Sequence, residues 1–94
     1  MTDTQHLQRS KLLNVTVKSP KKIEFDGEAT AVSSFNGVGK FDVLPYHASF
    51  ISLIKDILII HLKNKEPLKI PLESGILKNY EDHVTVLIGI KTTA

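Results

Sequence analysis

Four histidines, one glycine-rich run and three alternating acids are the groups in this sequence whose types and spacing could support chemistry. A zinc site usually takes two ligands from one helical face or from neighbouring positions of one strand. His6, His47, His61 and His83 offer no such pair, so His61 is expected half-buried on a strand and His83 at the start of one. His47 and Ser49, two residues apart, would share one side of a strand. A hydrolase also needs an orienting acid and an oxyanion hole, and nothing in the sequence supplies either for His47 or His83. The run Gly37-Val38-Gly39-Lys40 has the ending of a phosphate-binding loop. That loop requires G-x-x-x-x-G-K-[ST], because its hydroxyl coordinates magnesium and its glycines free the backbone amides. Here Ser34 occupies the first glycine position and Phe41 the hydroxyl position, so a turn between strands is the better reading. Glu24, Asp26 and Glu28 read as a solvated strand face. With no cysteine, thiol catalysis, disulfides and thiolate metal sites are excluded, and a reducing compartment fits. No catalytic residue, metal or cofactor is expected.

The elements that would carry these residues are strands. Leu13, Val15 and Val17 alternate with Asn14, Thr16 and Lys18, the period of a half-buried strand. After a turn at Pro20-Lys21-Lys22 the pattern resumes at Ile23 and Phe25, and Asp26-Gly27 reads as a tight turn. Ala29 to Phe35 suits another strand, Asn36 to Gly39 a break, and Phe41 with Val43 a further strand closed by Pro45-Tyr46-His47. Lys63 to Pro67 is expected to tip a hairpin between Ile57–Leu62 and Leu68–Leu72, and Glu81-Asp82 to precede a strand at His83–Ile88. Ser49 to Lys63 satisfies helical spacing as well. Its five isoleucines favour strand–turn–strand, with the turn at Lys55-Asp56. Many short strands at regular spacing predict a sandwich or barrel.

The chain has 94 residues, of which 41% are hydrophobic, suiting one globular domain. Residues 1–11 read as a flexible polar extension without a secretory apolar region, residues 12–90 as the domain and residues 91–94 as a tail. Ala48 to Leu62, the richest apolar stretch, is interrupted by Ser52, Lys55, Asp56 and His61 and is too short for a membrane span, which predicts a soluble protein. The net charge of +2 rests almost wholly on lysine, Arg9 being the sole arginine. Arginine is the usual reader of phosphates and base edges. A lysine-rich barrel holding single-stranded nucleic acid on Phe35, Phe41 or Tyr46 is the alternative to a protein-binding module.

Two glycine-centred stretches carry more when taken together. Gly39-Lys40-Phe41-Asp42-Val43-Leu44-Pro45-Tyr46-His47-Ala48 resembles the G-x-[LF]-x-[IV]-x-P-x-H-A segment of the epsilon subunit of F-type ATP synthases. Ser74-Gly75-Ile76-Leu77 and His83-Val84-Thr85-Val86-Leu87 are similar to that family's later strands. Leu13, Val15, Val17, Ser19-Pro20 and Phe25-Asp26-Gly27 fit its opening ones. The resemblance runs in order from Leu12 to Ile88.

The resemblance implies a ten-stranded β-sandwich or flattened barrel of two antiparallel or mixed sheets. It implies a non-catalytic central-stalk subunit that docks on the gamma subunit and on the polar loops of the c-ring, beneath the alpha3beta3 head. Such a subunit couples ion-driven rotation to ATP synthesis at the cytoplasmic face of the bacterial inner membrane. Carried over from the motif, the interface residues are Gly37, Gly39, Lys40, Asp42, Pro45, Tyr46 and His47, gathered near one end of the sandwich. His47 is the first choice for a direct contact, against a local role holding the Pro45 turn. The family's C-terminal helical hairpin has no counterpart here, so neither ATP binding nor inhibition through that hairpin is expected. Where the family prefers glycine this chain has Tyr46, and where it is commonly acidic this chain has Lys40. The reversed charge predicts a compensating acid on the ring loop.

Overall fold

A computed structural model describes residues 11–89; the expectations for residues 1–10, including His6, and for residues 91–94 lie outside them. Seven strands follow in order: β1 (Leu13–Lys18), β2 (Ile23–Ala29), β3 (Ala31–Phe35), β4 (Lys40–Val43), β5 (Phe50–His61), β6 (Leu68–Tyr80) and β7 (His83–Ile88). They form one mixed sheet in the order β2-β1-β7-β6-β5-β3-β4, in which only β1 and β7 run parallel. The expectation of ten strands in two sheets is therefore corrected to seven strands in one.

The cause lies in β5 and β6. Their register slips between Ile54 and Asp56 on β5, opposite Leu72 to Gly75 on β6. Asp56 takes φ 74° at this bulge, and bulges bend and twist a strand without ending it. Lys55-Asp56 is thus a bend and not the expected turn, and Ser49 to Lys63 contains no helix. The first half of β5 and the second half of β6 continue into β7, β1 and β2. The second half of β5 and the first half of β6 continue into β3 and β4. The sheet folds over at the bend into two leaves sharing two strands.

Between the leaves lies the core. Leu13, Val15 and Val17 of β1, Leu77 of β6 and Val84 and Val86 of β7 are buried in one cluster with Val32, Val43, Leu58 and Ile60 from the other leaf. These are the alternate positions of each strand, so the period-two pattern maps onto the inner faces. One further expectation fails: Asp26-Gly27 makes no turn, because β2 runs through it to Ala29 and pairs with β1 throughout. A Cβ at Gly27 would stand 3.2 Å from the Phe25 ring, so glycine there makes room for a neighbour on the same face.

Candidate protein-interaction surface

The residues singled out by the sequence fall at the two ends of β4. At its start, the Asn36 side-chain oxygen accepts the Val38 and Gly39 amides at 2.8 and 3.1 Å, and Asn36 N–H donates to the Gly39 carbonyl at 2.9 Å. Gly39 has φ 145°, which side-chain-bearing residues rarely adopt. Lys40 and Asp42 then point outward on β4 and line an open cleft with Thr30, Ser33, Leu44 and His61.

In that cleft Ser33 Oγ lies 2.5 Å from Asp42 Oδ1 and 2.9 Å from His61 Nε2. The hydroxyl donates to the acid and accepts from the imidazole. A catalytic triad places histidine between serine and acid. Here serine stands between them, so the base that should remove its proton instead donates to it. The three types are present in the wrong order for acyl transfer. Sequence spacing missed this cluster because strand pairing across β3, β4 and β5 assembles it. Among the described residues, no three His, Cys, Asp or Glu side chains group to hold a metal.

At the other end of β4, His47 N–H donates to the Leu44 carbonyl at 3.1 Å and closes a turn over Pro45 and Tyr46. Tyr46 has φ 69°, and its amide donates to Asp82 Oδ1 at 2.7 Å. Asp82 closes the two-residue β6–β7 turn with Glu81, both at positive φ as a type I′ turn demands. Asn79, buried on the inner face of β6, donates from Nδ2 to the carbonyls of His47 and Ala48 at 3.3 and 3.1 Å. Its Oδ1 has no partner among the described residues. The His47 ring sits 5.1 Å from that of Phe50, which meets Phe41 edge-on at 6.0 Å, and His47 Nδ1 lies 3.1 Å from the Ala48 carbonyl oxygen.

Pro45, Tyr46 and His47 are thus brought together with the β6–β7 turn. Gly37, Gly39 and Lys40 stand across β4 from them, about 13 Å away for four strand residues. Of the aromatics offered for base stacking, Tyr46 is exposed, whereas Phe35 and Phe41 are half-buried.

A second surface was not singled out by the motifs. Leu53, Ile76 and Leu87 are directly paired across β5, β6 and β7, and all three are exposed. Ile51 lies one pair along from them on β5, opposite Lys78. Leu53 is 72% and Ile51 68% exposed, so the outer face of this leaf carries a contiguous apolar strip. The sequence signal was apolar residues in both phases of β5, where a leaf with one solvated face needs only one.

A small β-sandwich with a turn-built end, a polar cleft lacking catalytic order and an apolar outer strip has the form of a structural interaction domain. The family described as "ATP synthase, Delta/Epsilon chain, beta-sandwich domain" matches residues 12–90, and the chain belongs to that family. An ATP synthase epsilon chain of Leptospira borgpetersenii is 33% identical over 76 residues, 80% of this chain and 59% of that protein. The epsilon chain of Clostridium novyi is 32% identical over 80 residues, 83% of this chain and 60% of that protein. The chain therefore spans about three-fifths of the length of these relatives. The fold matches a chain of the Tetrahymena thermophila mitochondrial ATP synthase central stalk and c-ring with TM-score 0.72 at 10% identity, covering 85% of this chain and 65% of that one. A chain of the Euglena gracilis mitochondrial enzyme matches with TM-score 0.75 at 14% identity, covering 82% and 50%.

Proposed function

We propose that this chain is a non-catalytic subunit of the central stalk of a bacterial F-type ATP synthase, docking on the gamma subunit and on the polar loops of the c-ring. In that place it helps carry rotation from the ring toward the alpha3beta3 head, at the cytoplasmic face of the membrane. The observation that carries the proposal is the exposed strip of Ile51, Leu53, Ile76 and Leu87, in a chain whose family is that of the epsilon sandwich. An apolar strip of this kind marks a protein contact. Continuous strands through both leaves make the body stiff, as a part transmitting torque requires. Lys40, exposed at the other end of β4, suits an acidic ring loop.

Co-purification of the tagged full chain from its own membranes tests the proposal. Recovery of gamma, alpha and beta subunits is expected, and recovery of none of them overturns it. Leu53→Asp should weaken capture of gamma at least about tenfold while changing stability by less than about 0.5 kcal/mol, since the side chain is exposed. Lys40→Glu should reduce recovery of the ring and alter its salt dependence, and an acid-to-lysine change on the ring loop should restore it. Unchanged assembly and salt dependence with Lys40→Glu would dismiss the ring-loop pairing.

A further inference from the structure

Tyr46 combines two features that do not serve the fold. It holds φ 69°, where a side chain crowds the backbone, and the residue is 58% exposed, so burial does not offset that strain. The turn is held from outside instead. Asp82, only 8% exposed, takes the Tyr46 amide at 2.7 Å, and Asn79 takes the carbonyls of the next two residues. Lys11 Nζ lies 3.8 Å from Asp82 Oδ2 and 5.9 Å from the centre of the Tyr46 ring, so it joins the ring to the acid. Asn79 stands at an inward position in phase with Leu77, and it fills that position at the expense of an unpaired Oδ1. Backbone strain and an unpaired amide oxygen in the core therefore converge on presenting one exposed aromatic ring. Strain retained under such constraint points to function.

We infer that Tyr46 is a contact residue for the gamma subunit, and that Asp82 and Asn79 are positioning residues that hold its turn in the binding geometry. The inference rests on the stalk assignment proposed above. The partner is gamma because the turn is continuous with the apolar strip. Ile76, Lys78 and Tyr80 share the outward phase of β6, so the exposed face of the strip runs through Tyr80 to the β6–β7 turn, where Asp82 holds the Tyr46 amide. The surface that receives the ring is a shallow apolar pocket with a hydrogen-bonding group for the phenolic hydroxyl.

The test titrates the full chain onto F1 particles stripped of this subunit, with thermal unfolding measured in parallel. Tyr46→Gly keeps the turn, because glycine adopts φ 69° freely. It should melt no lower than the unsubstituted chain yet bind at least about tenfold more weakly. Asp82→Ala should weaken binding by itself and add little in the Tyr46→Gly background, where no ring is left to position. Equal binding by Tyr46→Gly and the unsubstituted chain overturns the inference while leaving the stalk assignment standing. So does an Asp82→Ala loss of the same size in both backgrounds. Failure of the unsubstituted chain to bind the particles overturns the stalk assignment, and this contact with it.

Discussion

Gly75 shows how closely the leaf containing β7 is drawn together. A Cβ at this position would stand 2.8 Å from the Leu87 carbonyl oxygen and 3.4 Å from Ile54 Cγ1. The nearer obstacle is backbone held in the β6–β7 ladder, which cannot swing aside as a side-chain end can. Gly75→Ala should therefore force a shift of β7 and cost about 1–3 kcal/mol, read as a lower urea midpoint. Gly37 is the opposite case. Among the described residues nothing lies within 4 Å of a Cβ built there, so its substitution meets no clash with them. Gly75 was legible as a glycine of the family pattern and Gly37 as part of the break from Asn36 to Gly39, but spacing alone could not tell which one is pressed against a neighbour.

At the scale of the element, β5 and β6 decide the architecture. Apolar alternation disclosed β1, β4 and β7 closely, because each serves one leaf and keeps one phase. β6 carries the extra residue and changes phase at the bulge, whereas Ile54, Leu58 and Ile60 of β5 stay inward on both sides of it. Ser49 to Lys63 also satisfied helical spacing because Ile51 and Ile57 are apolar in the outward phase. Asp26-Gly27 misled for a different reason, since the same dipeptide that makes a hairpin turn also makes room within a strand. The bend itself is open to test. Asp56 takes φ 74°, which aspartate tolerates and a β-branched residue does not. Asp56→Val should cost about 1–2 kcal/mol, measured by chemical denaturation. A neutral result would mean that the bend survives in another backbone conformation.

For the whole molecule, the shared strands predict that the two leaves do not melt separately. Both draw on β5 and β6, so tyrosine fluorescence and far-ultraviolet circular dichroism should report one coincident transition in denaturant. Two separated transitions would show that the leaves are independent. The candidate surface was legible only where it is local. The segment from Gly37 to His47 can be read from its motif, but Asp82 lies 36 residues beyond the Tyr46 amide it holds. Asn79 reaches across 32 residues to His47, and no spacing rule foretells such a meeting. The apolar strip is of the same kind, since its members lie on three strands and become neighbours only through register.

The parallel pairing of β1 with β7 also sets an order in time. β1 and β2 join the rest of the sheet through β7 alone, from Asn14 beside His83 to Lys18 beside Leu87. Until the ribosome has released residues as far as Ile88, the first two strands are only a hairpin, and an isolated hairpin is marginal in water. Leu13, Val15 and Val17 must therefore wait until β7 has been made before they are covered. A nascent chain in this state presents a row of aliphatic side chains and an unpaired strand edge. It is then most exposed to aggregation and to chaperones.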